Sequence, residues 1–87
     1  KTYQKVKSVV NKIDPVRLID GGAPEDEYNN QINKIIGLLQ RNTEVNSLAE
    51  EIYQIFIQSF GQESAGEKKL YFKIAEKLTG ENITRKN

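Results

Sequence analysis

Leu48-Ala49-Glu50-Glu51-Ile52-Tyr53-Gln54-Ile55-Phe56-Ile57-Gln58-Ser59-Phe60 is the stretch on which the fold turns. Its apolar residues recur at helical spacing rather than in β alternation. Laid out at about 100° per residue, Leu48, Ala49, Ile52, Tyr53, Ile55, Phe56, Ile57 and Phe60 cover about 200° of the helix surface. Glu50, Glu51, Gln54 and Gln58 fill the wet remainder. An arc that wide suits a helix with neighbours on two sides, so this segment is expected at the centre of the molecule. Ser47 and Glu50 fit a capping box at its start, and Gly61 fits the residue that ends it.

The same helical spacing continues outward in both directions. Downstream, Ser64 and Glu67 give a second capping-box match, followed by an inward stripe of Leu70, Tyr71, Ile74, Ala75 and Leu78 and a stop at Gly80. Phe72 falls off that stripe. Residues 81–87 are polar apart from Ile83 and are expected to fray. Upstream, Arg41 to Asn46 reads as a connection. Before it, Tyr28, Ile32, Ile35, Ile36 and Leu39 form a narrow stripe, with Leu38 off it and Gly37 opposite it. Pro24 is expected to start that helix, with Glu25, Asp26 and Glu27 at the positive end of its dipole.

The first helix carries Tyr3, Val6, Val9, Val10 and Ile13 on one arc and should stop before Pro15, because the residue preceding a proline avoids helical geometry. Asp14 can cap a short new turn with Pro15 at its first position, and Gly21-Gly22 supply a tight turn with positive φ. The expectation is all-α: a small four-helix, mostly antiparallel bundle with a short extra helical turn after the first helix. Residues 1–80 form one domain on this reading.

Composition narrows the chemistry. The 87 residues contain no cysteine and no histidine, which removes thiolate chemistry, the commonest general base and the commonest metal ligand. Ser8, Ser47, Ser59 and Ser64 have no histidine to activate them, and Gly21-Gly22-Ala23-Pro24 lacks the lysine and frame of a phosphate loop. No catalytic residues and no cofactor are expected. No apolar run approaches the roughly 20 residues that span a bilayer. With no signal-peptide pattern in view, a cytoplasmic location is expected.

Net charge is +1, which gives no global attraction to nucleic acid. Its distribution is uneven: residues 1–19 carry +4, residues 20–51 carry −5 and residues 52–87 carry +2. Such segments can simply attract one another across a bundle, or they can form a dipolar docking surface.

The densest charge is Asp20, Glu25, Asp26 and Glu27, four carboxylates in the nine residues that end at Tyr28. Capping and turn formation account for Asp14, Pro15, Gly21, Gly22 and Pro24. They account less fully for so many acids, although Asp26 and Glu27 can pair with Arg17. Asp20, Glu25, Asp26, Glu27 and Tyr28, supported by Asp14 and Arg17, are therefore the candidate partner-binding residues. Leu38 and Phe72 can add an apolar anchor, or merely pack at an edge. Asp20, Asp26 and Glu27 are also oxygen donors of the kind Mg²⁺ and Ca²⁺ accept, but their spacing is not that of an EF-hand, and no metal is assigned. The alternative is nucleic-acid binding by Lys69, Lys73 and Lys77, which recur every four residues beside Lys68. A solvated helix face has the same pattern, and this helix offers no Arg, Asn or Gln for base edges.

Asp14-Pro15, Leu18 and Gly22-Ala23-Pro24-Glu25-Asp26-Glu27-Tyr28 together resemble the signature of a small family of uncharacterised bacterial proteins, found largely in Bacillus-like organisms. The likeness extends to chain length and helix layout. Members of that family often carry a tryptophan before the Asp-Pro pair, where this chain has Ile13. The resemblance implies an all-helical domain of unknown function and brings no catalytic residues. Similar Asp-Pro and Pro-x-Asp-Glu-Tyr patterns occur among small bacterial immunity-type proteins, which neutralise toxins by binding them. The implied role is capture of another protein, and the resemblance leaves the oligomeric state open.

Overall fold

Among the described residues five helices follow one another: α1 (Thr2–Ile13), α2 (Asn29–Leu39), α3 (Val45–Phe60), α4 (Gln62–Ala65) and α5 (Lys68–Thr79). The structure is a computed structural model and describes residues 2–18, 21–22, 27–41 and 44–80. No strand occurs among the described residues. None of the helices among the described residues is long and apolar enough to cross a membrane.

Contacts between the helices form a ring. α1 abuts α2 and α5, and α3 abuts α2, α4 and α5. α1 and α3 face each other across the core without abutting, as do α2 and α5. Val6 and Val10 from α1, Ile32 and Ile35 from α2, Leu48, Ile52 and Phe56 from α3, and Tyr71 and Ile74 from α5 are all fully buried inside this ring. Each such side chain contributes about 1.5–3 kcal/mol of burial. The wide arc of α3 is explained by its three neighbours.

The ends of the helices show where local sequence and tertiary closure part company. Gly61 and Gly80 end α3 and α5 as expected, with φ of 91° and 80° and N–H groups that donate to Ile57 and Glu76 carbonyls. The capping boxes do not form. Glu44 caps α3 instead: its carboxylate accepts from the Ser47 N–H at 2.7 Å and the Asn46 N–H at 3.2 Å. The helix therefore begins three residues earlier than the Ser47 cap implied, and the orphan donors are those of Asn46 and Ser47. Ser64 lies inside α4, Gly66 breaks the chain at φ 80°, and α5 starts after Glu67 with no side-chain cap.

The extra helix is also displaced. Between α1 and α2 the described residues form turns, one closed by the Arg17 N–H on the Asp14 carbonyl at 2.9 Å, and the short helix is α4. α2 begins at Asn29, so Glu27 precedes it rather than lying in its first turn. Residues 23–26, including Pro24, lie outside the described residues. Leu38, expected off the stripe, is buried, and Leu39 is only half-buried. α2 contacts both α1 and α3, which rotates its apolar face towards Gln31, Ile35 and Leu38. The Gln31 amide is anchored there by donating to Ser59 Oγ at 3.1 Å.

Candidate functional site

The elbow between α1 and α2 is held from inside by one phenol. Tyr28 is fully buried, with its ring centroid 5.8 Å from that of Phe56 and 6.2 Å from that of Phe60. Its hydroxyl donates to Asp14 Oδ1 at 2.7 Å. The same oxygen accepts from the Val16 N–H at 3.2 Å and, more weakly, from the Leu18 N–H at 3.4 Å. One side chain from the start of α2 thus organises the backbone that leaves α1. Burial and then the Asp14 hydrogen bond raise the Tyr28 pKa well above its ordinary value, so the phenol stays neutral and keeps its proton for Asp14.

Asp14 is itself buried, at 7% exposure, a position a carboxylate occupies only when hydrogen-bonded. Its φ of 50° is left-handed, a conformation aspartate tolerates better than most residues. Its N–H still donates to the Val10 carbonyl at 2.7 Å, so α1 ends on this residue. Pro15 is buried beside it, and a Cβ built on Gly66, between α4 and α5, would lie 3.9 Å from the Pro15 carbonyl oxygen. Gly22 has φ 99°, the positive value expected of the Gly-Gly turn.

A second tyrosine does the same work at the other junction. Tyr71 is buried against Tyr53 and Phe56, with centroids 5.2 Å and 5.1 Å away, and its hydroxyl donates to the Ala65 carbonyl of α4. Burial raises its pKa as well. Phe56 lies between the two tyrosines and joins their rings into one aromatic row.

The residues expected to meet a partner are therefore divided. Glu27 is exposed in the turn before α2, and Arg17 is exposed with φ 64°. Asp20, Glu25 and Asp26 lie outside the described residues. Tyr28 is a correction: no part of its ring reaches the surface, because the aromatic cluster of α3 takes it into the core. Asp14 likewise acts from within. Among the described residues, no group of three or more His, Cys, Asp or Glu side chains could hold a metal ion.

A concave surface that the sequence reading did not identify lies where α3 and α5 begin. Asn46, Ala49, Lys68, Lys69 and Phe72 line a cavity of about 350 Å³. Lys68 pairs with Glu50, which lowers the Glu50 pKa, with Gln54 adding a weaker hydrogen bond. Lys69 lies 3.5 Å from Glu67. Lys73 and Lys77 are exposed farther along α5. The off-stripe position of Phe72 was the sequence signal for this groove, but its other wall comes from α3 and depends on the packing. Comparison with protein-family models, with curated protein sequences and with solved structures returns no match for this chain.

Proposed function

We propose that this chain is a non-catalytic binding module that captures another protein through the acidic elbow, with Asp20, Glu25, Asp26 and Glu27 as the charged contacts. The observation that supports this most is the division of labour around Tyr28. Its hydroxyl and ring fasten the base of the elbow to the core, while the adjacent Glu27 remains in solvent. Flanks fixed in this way lower the entropy cost of docking at the elbow, and its carboxylates steer a basic surface towards it. Tyr28 and Asp14 are positioning residues in this scheme. The immunity-type resemblance makes a bacterial toxin the class of partner to try first, in a cytoplasmic setting.

The test is capture by the immobilised chain of a candidate toxin encoded beside its gene. Glu25→Lys with Asp26→Lys should abolish capture and leave thermal unfolding nearly unchanged. Persistent capture together with a large loss of stability would make the elbow purely structural.

A second reading, nucleic-acid binding by α5, is favoured by the exposure of Lys69, Lys73 and Lys77. It requires retention on DNA or RNA at low salt that disappears when these three lysines are neutralised.

A further inference from the structure

We propose that the groove between α3 and α5 docks an acidic segment of a partner protein that inserts one aromatic side chain. The groove is separate from the elbow. Tyr28 rests on Phe56 and Phe60 near the end of α3, whereas Asn46 and Ala49 lie in its first turns. Asn46 and Phe56 are roughly 15 Å apart along the helix axis.

Shape and charge together specify the occupant. The cavity of about 350 Å³ is at the lower end of the range that holds a small ligand, and a single aromatic side chain suits it better than a large cofactor. Ala49, 2% exposed, and half-buried Phe72 give an apolar floor. Lys68 and Lys69 form the rim, and exposed Lys73 lies one turn beyond Lys69 on the same face of α5. The rim lysines have their own partners, Glu50 and Glu67, but both pairs are open to solvent, with side-chain exposures of 56% and 45% for the first and 74% and 73% for the second. Exposed pairs of this kind are weak and exchange readily for carboxylates brought by a partner. An aromatic anchor in an apolar pocket, ringed by complementary charge, is the usual arrangement of an interface hot spot.

The experiment uses the full chain and a fluorescently labelled peptide with one phenylalanine flanked on each side by Asp and Glu. Anisotropy gives affinity, and amide chemical shifts give location. Saturable binding is expected, with shifts concentrated at Asn46, Ala49, Lys68, Lys69 and Phe72. Replacing the peptide phenylalanine by alanine, or making Lys69→Glu in the protein, should each weaken binding by roughly tenfold or more. Lys69 is an exposed position, so that variant keeps its fold, which circular dichroism checks. Four outcomes overturn the proposal: no saturable binding, equal binding of the alanine peptide, shifts centred on the elbow, or displacement of the peptide by a single-stranded oligonucleotide that binds the groove more tightly.

Discussion

The Tyr28 phenol donates a 2.7 Å hydrogen bond to the Asp14 carboxylate across fourteen positions of chain, and both groups are buried. The bond ties the start of α2 to the end of α1 and gives a buried carboxyl group a partner. The same hydroxyl accepts from two part-buried backbone N–H groups, so one oxygen serves three polar groups. Removing it takes one hydrogen bond from each. Tyr28→Phe should therefore cost about 1–3 kcal/mol in urea unfolding, although the ring itself is kept. Hydrogen exchange at the Val16 amide should accelerate more than exchange within α3.

Phe56 joins the two tyrosine clusters, whereas Phe72 is partly buried at the surface groove, packed against the edge of the core. Phe56→Ala should cost about 3–5 kcal/mol, enough to unfold much of a domain this small. Phe72→Ala should cost about 1 kcal/mol, because only part of its ring is buried. Denaturant midpoints of the two variants, measured side by side, check the contrast.

Gly37 sits inside α2, and a Cβ built there meets nothing within 4 Å. Among the described residues no backbone approaches it closely, so it weakens its helix. Gly37→Ala should stabilise the protein by about 0.5–1 kcal/mol. The corresponding rise in thermal midpoint is a few degrees, at roughly 4–8 °C per kcal/mol.

Alkali should unfold the chain through its buried phenols. Tyr28 and Tyr71 have raised pKa values in the folded state, while the unfolded chain ionises near the ordinary 10.0. Above that pH the unfolded state releases protons that the folded state retains, so stability is fully present below pH 10 and falls as pH rises beyond it. Tyrosinate absorbance should show a component that appears only as helical circular dichroism is lost. On the acid side the sign reverses for Glu50, whose pKa is lowered by Lys68 and Gln54. Its contribution holds above pH 4.5 and fades as pH drops further, and it is small because the pair is exposed.

The helical class was legible in the spacing of Leu48, Ile52 and Phe56, and the ends of α3 and α5 in Gly61 and Gly80. These depend on local periodicity and on the left-handed geometry that glycine accepts. The cap at Glu44 was hidden because glutamate is a poor N-cap by propensity and succeeds here through side-chain reach. The displacement of α2 to Asn29 and the burial of Leu38 follow from contacts with two other helices, which no local pattern encodes. At the elbow, sequence marked the acids and placed Tyr28 on an inward stripe. Only closure of the chain identified Asp14 as the partner of its hydroxyl and turned the ring away from the surface. Of the groove, only the off-stripe position of Phe72 was legible, since Ala49 on its other wall belongs to a different helix.

Unfolding of two variants beside the parent tests most directly whether the buried Tyr28 tether, rather than the neighbouring acids, holds the elbow to the core. One variant is Tyr28→Phe. The other reverses Glu25, Asp26 and Glu27 to lysine. The thermal midpoint should fall by several degrees in the first and stay within about one or two degrees of the parent in the second. A charge-reversed protein that melts as early as the Tyr28 variant, or earlier, would contradict the account, because its carboxylates would then be holding the fold together.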